Sequence, residues 1–155
     1  ERMDWTLQKA TELGVRCIRP VFSARSVVRL DGDQAARRLR HWAAVVASAC
    51  EQCGRSVLPV VEPPVDLARH LSSPPAAAVR LLLGPRSSDT LAARAAGLEE
   101  VELLIGPEGG LDDAEEQAAL AAGYVAVRLG PRVLRTETAG IAALAVLQAL
   151  AGDLR

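Results

Sequence analysis

The sequence predicts an α/β protein: a mostly parallel sheet flanked by helices. Three observations carry this. Short apolar runs alternate with helix-period segments along the chain, the order that strand–helix–strand units produce. The later runs, "AAVRLLLG", "EVELLIG" and "YVAVRLG", are close to continuously apolar, as strands covered on both faces are. No internal repeat and no low-complexity segment breaks the pattern, so residues 1–155 read as one domain with a full core.

The elements follow in order. "DWTLQKATEL" spaces Trp5, Ala10 and Leu13 for one helical face, and Gly14 stops it. "VRCIRPVFS" reads as a short strand; "SARSVVRL" extends it or forms a turn and second strand. Asp33 is placed to cap a helix running to about Cys53, with Gly54 as its stop. "RSVLPVVE" is a strand, "PVDLARHL" a short helix and "SSPPAA" a loop. "AAVRLLLG" is a third strand and "SSDTLAARAA" a helix. "EVELLIG" is a fourth strand, followed by the loop "PEGG". Asp112 with Glu115 three residues on forms a capping box, opening a helix that stops at Gly123. "YVAVRLG" is a fifth strand, and "TAGIAALAVLQALAG" is the last helix.

Composition narrows the function classes. No apolar run is long enough to span a membrane, and three cysteines are too few for a disulfide scaffold, so a cytoplasmic, reduced protein is expected. Net charge is −1, but residues 1–70 carry 11 Lys+Arg against 8 Asp+Glu and residues 71–155 carry 7 against 11. The basic half is a candidate for facing an anion. "ACEQCGR" holds a Cys-x-x-Cys, yet Cys17, His41 and His70 supply no further ligands at a zinc spacing, so no metal is expected. His41 and His70 read as surface or packing residues.

Three strand ends share one pattern, apolar residues followed by Gly-Pro and polar residues: "LLLGPRSS", "LLIGPEGG" and "VRLGPRVLR". Ligands of open parallel sheets bind at the carboxyl ends of strands. Glycine admits close backbone approach there, and proline stiffens the turn. Together the three predict one backbone-rich pocket. No G-x-G-x-x-G follows a strand and no phosphate-loop lysine is present, which excludes the common dinucleotide and nucleoside-triphosphate sites. Glu108 suits a ligand hydroxyl, amine or cation, or serves as an acid before a helix.

Read together, "QKATELGV", "ACEQCGR", "LLIGPEGGL" and "LGPRVLRTETA" resemble the RsmE family of ribosomal RNA methyltransferases. The similarity runs over essentially the whole chain. It implies methylation of N3 of a uridine in small-subunit (16S) ribosomal RNA, with S-adenosylmethionine as donor. It also implies a SPOUT fold whose C-terminal part forms a deep trefoil knot, and a homodimer. Members of the family carry an N-terminal PUA-like RNA-binding domain; residues 1–155 are read as the catalytic domain without it. The chain has Ser23-Ala24-Arg25 where the family tends to have Ser-Glu-Arg. Alternatives are another SPOUT enzyme, acting on a ribose 2′-hydroxyl or another base, and a non-catalytic RNA-binding factor with the same fold.

The resemblance implies roles for individual residues. Leu83, Gly84, Pro85, Gly106, Glu108, Gly109, Leu129, Gly130 and Leu134 are expected to form the cofactor pocket. Arg132 and Arg135 are expected to hold the uridine or its phosphates. Glu137 is the candidate base or orienter, helped by Thr138; capping its helix or pairing with Arg135 is the structural alternative. Lys9, Arg25, Arg37, Arg38 and Arg40 are candidate contacts to RNA phosphate.

Overall fold

A computed structural model describes residues 2–26, 29–95 and 97–154. In chain order the elements are α1 (Arg2–Glu12), β1 (Cys17–Ile18), β2 (Val21–Phe22), α2 (Gly32–Cys53), β3 (Val60–Val61), β4 (Val65–Asp66) and α3 (Leu67–Ser72). They continue with β5 (Val79–Leu83), α4 (Leu91–Ala95), β6 (Val101–Ile105), α5 (Asp113–Ala121), β7 (Tyr124–Val127) and α6 (Thr136–Ala151). Every strand pairing among the described residues is parallel, in three pieces: β1–β3, β2–β4 and a 3-stranded sheet ordered β6–β5–β7.

The three-stranded sheet explains its own sequence. Side chains alternate between faces along a strand. Leu82, Leu104 and Tyr124 pack on one face with Leu67 of α3 and Ala119 of α5. Leu81 and Val127 pack on the other with Leu91 of α4 and Ala143 of α6. Both faces are covered, hence the near-continuous apolar runs. A second core joins Leu7 of α1 to Trp42, Val46 and Cys50 of α2. Leu7, Leu81 and Leu91 are fully or almost fully buried, each stabilising the fold by roughly 1.5–3 kcal/mol.

Helix ends follow the expected chemistry at most positions. Gly14, Gly54 and Gly123 adopt positive φ after α1, α2 and α5. Asp112 and Glu115 close a reciprocal capping box at α5. The start of α2 differs: Asp31, not Asp33, is the cap, accepting from the Gln34 amide at 2.8 Å. Asp33 instead lies in the first turn, where the helix dipole favours an acid.

The early strands are shorter than expected. "VRCIRPVFS" divides at Arg19–Pro20 into β1 and β2, which pair with different partners. Only Val60–Val61 of "RSVLPVVE" is strand; it begins after Pro59, which has no amide to donate to a ladder. Val65–Asp66 adds a strand ahead of α3. Helix α4 starts at Leu91 rather than Ser87, because the Ser87 side chain takes the turn, donating to Ala126 O at 2.7 Å and accepting from Asp89 N at 3.2 Å. The last helix starts two residues earlier than "TAG", so Glu137 and Thr138 lie in its first turn. The expectation for residues 23–30 falls partly on Val27 and Val28, outside the described residues, and the predicted end of the helix before Gly97 falls on Ala96, also outside them.

A candidate cofactor pocket and substrate edge

Strand register brings the glycine–proline ends together. Leu83 of β5 lies beside Ile105 of β6 on one side and Val127 of β7 on the other. Gly84–Pro85, Gly106–Pro107 and Gly130–Pro131 therefore leave the same carboxyl edge of one sheet. The first and third are bonded directly: the Gly84 amide donates to Val127 O at 2.9 Å. The turn after Pro85 is tied to the β7 exit by Arg128 N to Asp89 O (2.8 Å) and Leu91 N to Arg128 O (2.9 Å).

The second loop, 106–111, is held at several carbonyls. Gly106 O accepts from Thr136 Oγ1 at 2.9 Å. Pro107 O accepts from the Gly110 amide at 2.7 Å. Gly109 O accepts from Arg25 Nη1 at 2.5 Å. A trans peptide points its C=O and N–H in opposite directions, so turning the Pro107 carbonyl inward sends the Glu108 amide the other way. That amide has no acceptor among the described residues. Gly110 and Gly130 take positive φ, at 70° and 74°, and a Cβ on Gly84 or Gly130 would meet nothing within 4 Å. The loops thus offer an outward donor and open backbone, the surface a nucleoside-like ligand recognised through main-chain groups would need.

Of the expected pocket residues, Leu83, Gly84, Gly106, Leu129 and Leu134 are partly buried, and Pro85, Gly109 and Gly130 are exposed. Glu108 is half exposed and ion-paired with Arg2 of α1. The residues expected on the substrate side sit where the third loop enters α6. Arg135 is the N-cap position but makes no side-chain cap bond. Arg132, Arg135 and Thr138 are exposed and Glu137 is partly buried. Among the described residues none of Arg132, Arg135 and Glu137 has a salt-bridge partner. Glu137 thus makes no ion pair with Arg135, one of its two structural alternatives; the other, a role at the helix start, fits its place in the first turn of α6.

The candidate RNA contacts separate. Arg37, Arg38 and Arg40 are exposed along the first half of α2. Lys9 pairs with Glu12 on α1 at 2.7 Å. Arg25 alone of the five reaches a glycine loop, and it does so through backbone carbonyls.

Sequence reasoning missed Thr136 and Gly140. Both lie within or next to "LGPRVLRTETA", but their partners are distant in sequence: Thr136 bonds Gly106, and a Cβ on Gly140 would come within 3.0 Å of Ile105 Cδ1. It also missed a buried polar cluster at the opposite, amino end of the same strands. Register sets Arg80 beside Glu102 and Tyr124. The Arg80 guanidinium lies 4.2 Å from the Tyr124 ring centre, and Tyr124 Oη donates to Glu102. His70 Nε2 lies 2.9 Å from Glu102 Oε1, and its Nδ1 lies 2.8 Å from Arg19 Nη1. A guanidinium cannot accept, so Nδ1 is the acceptor and Nε2 carries the proton towards Glu102. Burial pushes the Glu102 carboxyl up, but hydrogen bonds from Tyr124 and Arg80 outweigh it and hold the group below its ordinary value. The Tyr124 phenol is pushed well above its ordinary value, by burial first and then by Glu102.

No group of three or more His, Cys, Asp or Glu among the described residues is arranged to hold a metal ion. No described helix is long and apolar enough to cross a membrane.

Known proteins share this fold. A crystal structure of a ribosomal RNA small subunit methyltransferase E from Neisseria gonorrhoeae, bound to S-adenosyl methionine, is 44% identical. It superposes with a TM-score of 0.90, over 99% of this chain and 63% of that one. A methyltransferase from Legionella pneumophila, solved with bound cofactor SAM, is 41% identical with a TM-score of 0.90, over 96% of this chain and 61% of that one. The ribosomal RNA small subunit methyltransferase E of Mycobacterium bovis is 38% identical over 157 residues, covering 97% of this chain and 59% of the relative. The chain spans about three-fifths of the length of the relatives it matches. The model of the RNA methyltransferase domain family matches residues 1–148, and the chain belongs to that family.

Proposed function

We propose that this chain is the catalytic domain of an S-adenosylmethionine-dependent enzyme that methylates N3 of a uridine in small-subunit ribosomal RNA. The observation that carries the reading is the convergence of three glycine–proline loops on one carboxyl sheet edge, in a chain 44% identical to a relative bound to S-adenosyl methionine.

The donor supplies a methyl group on a sulfonium that leaves without a covalent enzyme intermediate, which accounts for the absence of a conventional nucleophile in "LGPRVLRTETAG". The open backbone at Gly84, the Glu108 amide and the positive-φ turn at Gly130 fit its nucleoside part. What remains for the protein is alignment and handling of the N3 proton. Arg132 and Arg135 present guanidinium groups at the substrate edge, where they stabilise charge on the base oxygens as the proton leaves. Glu137 takes the proton or orients the base in this reading; its position in the first turn of α6, without an ion-pair partner among the described residues, supports it.

The same reading extends to a C-terminal trefoil knot through which α6 closes the pocket, a homodimer, a cytoplasmic setting, and an N-terminal PUA-like domain in the longer protein. The exposed Arg37, Arg38 and Arg40 suit contacts to RNA phosphate.

Incubating the full-length protein with small ribosomal subunits and S-adenosylmethionine, followed by nucleoside mass spectrometry, tests the proposal. The expected product is 3-methyluridine. A 2′-O-methylated nucleoside would move the enzyme to another branch of the class, and failure to bind the cofactor by calorimetry would favour a non-catalytic factor.

A further inference from the structure

We infer that Arg25 is a positioning residue for the cofactor loop and not a grip on RNA; the inference rests on the reading of loop 106–111 as part of the cofactor pocket. Arg25 Nη1 donates to Gly109 O at 2.5 Å and approaches Leu111 O at 3.5 Å. One guanidinium thus spans the outer end of the loop.

The glycine pair in "PEGG" takes its meaning from this contact. Gly110 has φ +70° and needs glycine for its turn. Gly109 has no such need, since its φ is not positive. A Cβ there would instead lie 3.3 Å from Arg25 Cδ and 3.7 Å from Arg25 Cβ. The alkyl chain of Arg25 passes over Gly109, and a side chain there would have to push it aside by a few tenths of an ångström.

Arg25 is itself held in place. Ser26 N donates to Ser23 O at 3.1 Å, and Ser23 N to Ser26 Oγ at 2.9 Å, closing a turn around residues 23–26. Ser23 is buried. The Ala24 amide donates to Glu115 Oε1 at 2.7 Å, while Glu115 Oε2 accepts from Asp112 N at 3.1 Å within the capping box of α5. The turn, the guanidinium and the helix cap form one connected set that fixes both ends of the loop's outer half. Thr136 holds the inner end at Gly106. The direction of the Glu108 amide, set by the peptide that follows Pro107, depends on this bracing.

The test compares the wild-type protein with Arg25→Ala, Arg25→Lys and Gly109→Ala. Calorimetric titration with S-adenosylmethionine should show a Kd weaker by about tenfold in Arg25→Ala, the loss of one charge-assisted hydrogen bond. Arg25→Lys, which can reach one carbonyl, should recover part of it. In turnover assays KM for the cofactor should rise while kcat at saturating cofactor stays near wild type. The slope of RNA affinity against salt should be unchanged; a phosphate contact would reduce it by about 1. Unaltered cofactor affinity together with a reduced salt slope would overturn the inference. Should the wild-type protein bind no S-adenosylmethionine, the pocket reading fails. The clamp is then judged on unfolding midpoints: non-additive effects of Arg25→Ala and Gly109→Ala support it, and additive ones overturn it.

Discussion

Thr136 and Gly106 are joined by a 2.9 Å hydrogen bond across 30 residues of chain, and through it the entrance of α6 is fastened to the glycine loop after β6. Thr136→Val keeps the shape of the side chain and removes the donor. The expected cost is about 1 kcal/mol, because Gly106 O is left without its partner. Urea unfolding measures it, and Thr136→Ser, which keeps the hydroxyl, should lie closer to wild type.

At the neighbouring positions the expected losses are in chemistry, not in folding. Glu137→Gln should lower kcat by roughly 10²–10⁴-fold if the carboxylate takes the N3 proton. Arg135→Ala should likewise abolish methylation. Both variants should bind S-adenosylmethionine with an affinity near wild type in calorimetry. Loss of cofactor binding in Arg135→Ala would place that guanidinium in the pocket and not at the substrate edge.

The cluster at the amino end of the sheet should govern acid stability. Glu102 and Glu62 are both held below the ordinary carboxylate value of 4.5, the latter chiefly by the hydrogen bond from Arg19. A depressed carboxyl contributes stability that is fully present above its unfolded pKa and is lost as pH falls through its folded pKa. The unfolding midpoint should therefore be level from neutral pH down to about 5 and fall below 4.5. Glu102→Gln should flatten that acid limb while lowering the midpoint at pH 7, since it leaves the buried Arg80 without its counter-charge.

Glu115 should matter more than its role in α5 alone requires. Asp112→Ala removes the helix cap and should cost about 1 kcal/mol. Glu115→Ala loses its half of the capping box and also the bond from the Ala24 amide. Its destabilisation in urea should exceed that of Asp112→Ala. Equal values would mean that the Ala24 contact contributes nothing.

Much of this architecture is legible in the sequence because it is local. The Asp112–Glu115 spacing, the glycine stops at 14, 54 and 123, and the apolar runs of β5, β6 and β7 each report on neighbours within one element. Pro20 carries a local signal too: it marks where one predicted strand becomes two. The buried cluster cannot be read in the same way. Arg80 and Glu102 look like charges interrupting apolar strands until register sets them side by side. The basic character of residues 1–70 suggests an external anion, yet part of it is answered within the molecule. Arg2 pairs with Glu108, and Arg16 with Glu100 at 3.0 Å. The exposed pairs among these contribute little energy each, but they show that a charge imbalance along a sequence need not point outward.

The Arg25 contact also bears on where the molecule can be cut. The three glycine loops are contiguous with the sheet of β5, β6 and β7, all of it beyond residue 77. The "SSPPAA" loop before them looks like a safe place to sever the chain. A fragment beginning there would keep every loop glycine and all three strands. It would leave behind the guanidinium that holds Gly109 and Leu111, the amide that anchors Glu115, and the Arg2 partner of Glu108. The carboxyl sheet edge of the C-terminal half is thus not autonomous: the first 25 residues are part of its scaffold.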